Sequence, residues 1–539
     1  RGRSTFGNMR RIGIVFLLAA LAAADVIPSL TLDDPDTDLL RRLEGRSGCD
    51  LPSRRPWPGE VVLSCVDSLL ASPDISVGDH SRLAALRGRL MPSDTGWGLL
   101  SWKEGDKFLR IDVGATAYDS ASAERTRTGT GPLDTIGRNI LAGLQVRPRV
   151  DLILGPNFAM WSRPLQFVEV SPDKRYDKEF DARDGVYQTA LMAGPGELSY
   201  GRTSDWLEGA MEFRSPLGRA SVGMENVEWG VLPVEPLMLS GLTSPFPVAQ
   251  ITQSVGPVEG TLLFGEPIGA SWSELHRIYA HRFTWTGSNF TAGLSEMVLS
   301  VDKPVQPLYL IPVFPILMTQ GPLGTPDNKQ LDLDGSWRAR PDAELSGELF
   351  IDDLQNYLGF FSSGWGNKWG LALGAKFSDW TGSGTLDRLQ ATRMEPWTGV
   401  ASSFIVPDEP TDVPVDFGVP LGWNAGPNSG ELDWIHRQDL SEAWSWSLSA
   451  RALWKGTDSG SNIGDLNLRD SSGTWVVAHP TKTWLGGRLI YRQDLSILAE
   501  RRFAPRWRVV LGAGIGDLST PGRPVRWIPS VRSGVSWNE

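Results

Sequence analysis

The hydrophobic positions fall into two regimes along the chain. In residues 25–95 they recur at helical spacing: Leu39, Leu40 and Leu43, then Val61, Val62, Cys65, Val66, Leu69 and Leu70, then Leu83, Leu86 and Leu90. Apolar residues three and four apart share one helix face, so the spacing predicts three short helices, with Pro52, Pro56 and Pro58 breaking the chain between the first two. From about residue 96 the period becomes two. Ile111, Val113, Ala115 and Ala117 alternate with polar or small residues, as do Val150, Leu152 and Leu154. The same holds for Leu331, Leu333, Gly335 and Trp337, for Trp369, Leu371, Leu373, Ala375 and Phe377, and for Trp444, Trp446, Leu448 and Ala450. Val510, Gly512 and Gly514 line a thin late strand. Side chains of a strand point alternately to its two faces, so this region predicts many strands with one apolar face each.

The N-terminus has the pattern of an export signal. Met9-Arg10-Arg11 supplies positive charge, residues 12–21 are apolar, and Ala22-Ala23-Ala24 offers small residues for cleavage before Asp25. Residues 1–24 are therefore read as upstream residues plus a signal peptide, with residues 1–8 an over-extended start. Beyond it no run approaches the roughly 20 apolar residues that a membrane helix needs. Residues 308–318 are too short and are broken by Pro312 and Pro315. Only helices and closed barrels satisfy their backbone groups in lipid, so the exported chain is either soluble or a β-barrel of an outer membrane.

Several strands begin or end with Trp, the placement of aromatic girdles at the two membrane interfaces. The chain holds 23 Trp against 8 Tyr, with 59 Gly and 38 Pro, a mixture suited to strands and tight turns. Strands of about 10 residues over 96–539, joined by alternating short turns and long loops, give about 16 to 20 strands. Residues 381–390 and 406–431, rich in Gly, Pro, Asp and Ser, read as external loops. A propeller or sandwich would repeat at about 40–50 residues, and no such repeat is visible.

Charge and rare residues narrow the partners. A formal net charge of −11 gives no reason to expect nucleic acid. Both cysteines, Cys49 and Cys65, fall in the helical segment; in an exported protein they are a disulfide candidate, with two buried free thiols as the alternative. The five histidines, at 80, 276, 281, 436 and 479, show no metal spacing, so no metal and no cofactor is expected.

Local motifs are concentrated between residues 225 and 355. Glu225-Asn226-Val227-Glu228-Trp229-Gly230 leads into Leu239-Ser240 and Pro245-Phe246-Pro247, too irregular for a strand across lipid. Gly293-Leu294-Ser295-Glu296 follows, then an apolar proline-containing stretch from Tyr309 to Pro315, then Leu349-Phe350-Ile351-Asp352-Asp353-Leu354-Gln355. In order and wording these segments resemble the capsule-assembly Wzi family of outer-membrane proteins, best over residues 200–380. The resemblance implies an all-β fold, a large antiparallel transmembrane β-barrel of about 18 strands (96–539). It also implies a small N-terminal α-helical periplasmic domain (25–95) and a lectin-like role in attaching capsular polysaccharide to the cell surface. One departure is the C-terminal Val535-Ser536-Trp537-Asn538-Glu539, where outer-membrane barrels usually end on an aromatic residue recognised by the insertion machinery.

Candidate residues follow from sugar chemistry. Trp rings offer flat apolar faces to sugar C–H groups, and carboxylates and amides pair with hydroxyls. Glu225, Asn226, Glu228 and Trp229 form such a set, either for a glycan or as part of a plug; Asp352 and Asp353 are a second pair, with a structural ion pair as the alternative. The expected partners are cell-surface polysaccharide, outer-membrane lipid and the barrel-insertion machinery. Two other classes stay open. A secreted glycoside hydrolase would need two carboxylates about 5–10 Å apart, for which Glu225, Glu228, Glu296, Asp352 and Asp353 are numerous enough. A channel for small solutes would need an open lumen, whereas a plug from residues 229–247 or 309–315 favours surface binding.

Overall fold

The computed structural model describes residues 26–91, 99–122, 139–171, 189–191, 200–216, 218–267, 276–301, 303–311, 315–316, 318–319, 327–354, 361–364, 366–380, 384–399, 415–416, 419–458, 460–461, 482–504, 506–519 and 526–537. The export signal lies outside them. Period-two sequence becomes strand throughout: among the described residues, eighteen antiparallel strands close into a barrel running from Lys107–Ser122 to Arg526–Trp537. The last strand pairs back on the first from Ser530↔Ser122 to Trp537↔Ala115, and the short strand Leu100–Glu104 pairs with the first strand's remaining end. No backbone edge of the closing pair is left for lipid to meet, as a spanning sheet requires.

Strand register divides the wall into two faces. Leu333, Leu349, Leu371 and Leu389 occupy outward positions, with Trp285, Trp337, Trp444 and Trp507 on the same face. Leu333, Leu389 and the four Trp are exposed, with Leu349 and Leu371 half-buried between them, and they form a belt that only a hydrocarbon environment covers without cost. The opposite face carries Arg282, Glu348, Arg388, Gln390, Arg437 and Asp494 and points into the lumen. Trp285, Phe290, Trp337, Trp380, Trp444, Phe503, Trp507 and Trp537 all stand beside short turns at one end, a girdle at one rim. Short turns face the periplasm in barrels of this kind.

Two loop expectations need correction. Thr385–Met394 is a spanning strand, so the connector shrinks to residues 379–384. Its lumen positions Arg388, Gln390 and Thr392 are polar because they meet the plug, which disguised the strand as a loop. Residues 421–428 enter the lumen instead of standing outside, and Ser429–Asp439 is a strand.

The helical spacing of the N-terminal segment yields α1 (Thr37–Leu43), α2 (Gly59–Leu70) and α3 (Val77–Leu90). Ser76 caps α3 by accepting the Asp79 N–H. Leu39, Leu40, Leu43, Val62, Val66, Leu69, Leu83 and Leu86 make one small core that also holds Cys49 and Cys65, joined as a disulfide. The bond closes a loop with a sequence separation of 16. Cys49→Ser with Cys65→Ser is expected to cost this segment about 3 kcal/mol. Limited proteolysis of the folded barrel checks it, and unchanged resistance of the segment would contradict it.

The segment sits across the short-turn end, held by charge pairs to lumen-facing and turn residues. Arg42 pairs with Asp379, Arg82 with Asp439, Lys376 with Glu44 at 2.8 Å, and Arg219 with Glu60 at 2.7 Å. Buried pairs of this kind fix position more than they add net stability.

Candidate functional site

Residues 226–245 leave the wall between the strands Gly218–Glu225 and Phe246–Val255 and fold inward. There Glu228–Trp229 lies between Arg54–Arg55 of the N-terminal segment and Leu239–Ser240, a three-stranded antiparallel sheet inside the barrel. Gly230 continues it by donating its N–H to Ser53 O at 2.9 Å; its φ of 138° is open only to glycine. Residues 421–423 come in from the opposite side. Ser240 donates its N–H to Leu421 O at 2.8 Å, and Trp423 donates its own to Leu237 O at 3.2 Å. A Cβ on Gly422 would stand 1.9 Å from Leu237 O, so only glycine permits this approach.

The plug has an apolar centre shared with the wall. Val227, Trp229, Leu232, Leu237, Met238, Leu239, Leu421 and Trp423 pack against lumen-facing Val248, Leu263, Ile278, Met297, Leu299, Phe350, Ala372 and Met394. Around it, polar wall residues meet the plug backbone. Glu348 accepts the Leu237 N–H at 2.6 Å, and Gln390 accepts those of Val234 and Glu235 at 3.1 and 3.0 Å while donating to Glu235 O at 2.8 Å. The Arg282 guanidinium spans both Asp334 oxygens at 2.6 and 2.9 Å and reaches Ser295 and, across the gap, Ser53 Oγ at 2.9 Å.

The candidate set is thus brought together, but inside this plug. Trp229 is wholly buried in the apolar centre, and among the described residues its indole N–H has no partner. Glu228 pairs with Arg41 at 2.7 Å and Arg55 at 3.0 Å. Burial opposes ionisation there, but the Arg55 and Arg41 guanidiniums outweigh it and hold the carboxyl below its usual range. Glu225 is buried and accepts the Ser221 hydroxyl at 3.2 Å, and Asn226 lies beside it, half-buried. Asp352 accepts the Gly399 N–H at 3.0 Å, well away from that group. The expected alternation of Asp352 and Asp353 is broken by a bulge between Ile351 and Asp353, and the Asp353 side chain lies outside the described residues.

Glu235 supplies a pH test of the plug. Burial, with the nearby Glu431 carboxylate, pushes its carboxyl up to about 8 against the pull of the Asn424 N–H. Folding therefore retains a proton that the unfolded chain releases above its usual 4.5, so plug stability falls as pH rises from 4.5 to about 8. Glu235→Gln should flatten that slope in protease resistance of the plug. An unchanged slope would count against the assignment.

Of the stretch 309–315, the described residues 309–311 and 315 do not join the plug. Tyr309 and Ile316 pack on Tyr279 and Val298, which register places on the outer face of the wall. Beneath them, outward-facing His281 and Glu296 meet at 3.1 Å; His281 Nε2 lies 3.1 Å from Tyr309 O, and Glu296 accepts the Ile316 N–H at 2.8 Å. These polar groups are satisfied by a strap on the outside of the barrel, so that part of the plug expectation is corrected. Residues 312–314 are outside the described residues. His436 bonds Asp387 at 2.9 Å in the same hydrogen-bonding manner. Among the described residues, no group of three or more His, Cys, Asp or Glu could hold a metal ion.

Sequence reasoning missed a cluster at the long-loop rim. The Arg393 guanidinium lies over Trp484 at 4.3 Å and Trp369 at 5.2 Å, and Phe361 meets Trp369 edge-on at 5.2 Å. Arg393 also holds Glu395 at 2.6 Å, which in turn takes Lys482 at 3.0 Å. Phe361 is 71% exposed, so an aromatic face is presented to the outside. The contributing residues, Phe361 to Trp484, are up to 123 positions apart, and no sequence pattern joins them.

No protein-family model and no curated protein matches the chain. Among solved structures it is similar to Wzi of Escherichia coli, described as an outer-membrane protein involved in group 1 capsule assembly and a carbohydrate-binding β-barrel. The TM-score is 0.57 at 14% identity, covering 96% of this chain and 100% of that one. OprD of Pseudomonas aeruginosa gives 0.40 at 8% identity, over 79% of this chain and 94% of that one. A BenF-like porin of Pseudomonas fluorescens gives 0.42 at 10%, over 79% and 98%. At 14% identity the likeness to Wzi is one of fold, the closed barrel of eighteen strands.

Proposed function

We propose that this chain is a non-enzymatic outer-membrane barrel that binds a cell-surface polysaccharide and works in its assembly or attachment. The observation that carries the reading is the folded plug: an apolar core built between residues 227–239, 421–423 and the inner wall occupies the lumen. Solutes lose that path, and the outer rim becomes the working surface. Fold likeness along nearly the whole chain to a barrel described as carbohydrate-binding supports the same reading.

The rim cluster has suitable chemistry. Phe361 and Trp484 offer flat apolar faces for sugar rings, and Arg393 offers a charged hydrogen-bonding group beside them, held in place by buried Glu395, which is itself paired with buried Lys482. In this reading the apolar belt meets outer-membrane lipid, insertion depends on the cell's barrel-insertion machinery, and the buried carboxylates of the plug serve structure instead of hydrolysis.

The test is retention of the host's own surface polysaccharide on the purified, folded barrel, compared with Phe361→Ala combined with Trp484→Ala. Losing one stacked ring costs about 1 kcal/mol, so the pair should weaken binding about tenfold or more. Absence of binding by the unaltered protein would refute the reading; binding unaffected by the pair would refute the rim as its place.

A further inference from the structure

Arg501 stands on the outward face of the strand Ile490–Ala504, close to its short-turn end. Register sets it between Trp444 on one neighbouring strand and Val509 on the other. Its guanidinium lies 4.9 Å from the ring centroid of Trp444 and 4.3 Å from that of Phe503, so two rings of the girdle hold it by cation–π attraction. The chain neighbours Glu500 and Arg502 point into the lumen and pair with each other at 3.2 Å. Among the described residues the Arg501 guanidinium therefore has no hydrogen bond and no ion pair, and its side chain is exposed.

Towards mid-membrane the same strand face turns apolar, through Ala499 and Ile497 to Leu495. Ala499 makes a low point between its cross-strand neighbours Trp446 and Leu511. Leu495 borders an apolar groove of about 800 Å³ on the outer wall, which Leu389, Trp434, Ala450 and Ile515 also line. From Arg501 to Leu495 the strand rises about 20 Å. At a tilt of about 40° that is about 15 Å along the membrane normal, half of a hydrocarbon core of about 30 Å. The groove thus begins where the chain ends of a lipid headed at Arg501 lie.

We propose that Arg501 holds the phosphodiester of one phospholipid of the periplasmic leaflet, with an acyl chain running over Ala499 and Ile497 to the groove at Leu495. Aromatic girdles stand level with the headgroups, so the rings of Trp444 and Phe503 put the guanidinium at the depth of the lipid phosphates. The planar fork of an arginine pairs with two phosphate oxygens at once, which supplies the acceptors that the protein does not. The site requires only that the barrel lies in a bilayer and is independent of polysaccharide binding at the opposite rim.

Full-length protein in mild detergent, verified as a folded, heat-modifiable barrel, is titrated with phosphatidylethanolamine, phosphatidylglycerol or diacylglycerol, and native mass spectrometry follows the lipid retained. Both phospholipids should be retained in preference to diacylglycerol, which has the same chains and no phosphate. Arg501→Gln should weaken retention of both about tenfold or more, and Arg501→Lys, which keeps the charge but loses the fork, should fall between. Equal retention of diacylglycerol overturns the proposal, as does phospholipid retention unchanged in a folded Arg501→Gln barrel. If that variant does not fold, the lysine variant and the lipid comparison on the unaltered protein decide.

Discussion

Arg282→Ala is expected to destabilise the plugged barrel by about 3–5 kcal/mol, the range for breaking a buried ion pair by removing one partner. The side chain is 1% exposed and ties three parts together: Asp334 on the next strand but one, Ser295 between them, and Ser53 of the N-terminal segment. Its loss leaves Asp334 beside Asp332 and Glu348 with no cation to balance them, and frees the segment from the wall. Denaturant unfolding of the refolded barrel measures the cost, and protease access to residues 26–91 reports the release. Arg282→Lys keeps the charge without the fork and should recover part of the loss. A change below about 1 kcal/mol would show that the plug is held elsewhere.

Trp229→Ala is expected to cost about 3–5 kcal/mol by emptying the centre of the plug. The fully buried indole contributes volume alone, since its N–H has no partner among the described residues. Trp229→Phe should therefore be much milder, well under half the alanine cost, because no hydrogen bond is lost and part of the volume is kept. Equal costs for the two variants would mean that the indole nitrogen is bonded after all. Ion leakage through bilayers containing Trp229→Ala should rise as the plug loosens.

Much of the architecture was legible because one physical constraint repeats. Each spanning strand has lipid on one side and a polar lumen on the other, so Leu331 to Trp337 or Trp369 to Phe377 betray themselves by alternation alone. Three helices were equally visible, since their buried Leu and Val positions recur on one face. The plug was visible only as a place where strand patterning fails. Its strands are two residues long, and its partners, Arg54, Glu348, Gln390 and Leu421, lie far away in sequence.

Other features depended on what covers a face. His281 and Glu296 sit on the lipid side of the wall, which alternation alone would forbid, and become tolerable only because Tyr309 and Ile316 fold over them. Around Trp229 the sequence has the right residue types for a glycan, and the structure buries Trp229 and Glu225 and ties half-buried Glu228 to Arg41 and Arg55. The rim stack of Trp369, Arg393 and Trp484 arises from two wall strands and a loop that sequence cannot bring side by side.

The most direct measurement is single-channel conductance of the purified protein in planar lipid bilayers, with its heat-modifiable folded form verified beforehand. A barrel blocked by the plug should insert without steady ion-conducting openings, and Trp229→Ala should then conduct. Large, steady openings from the unaltered protein would contradict a blocked lumen and return the chain to the channel reading.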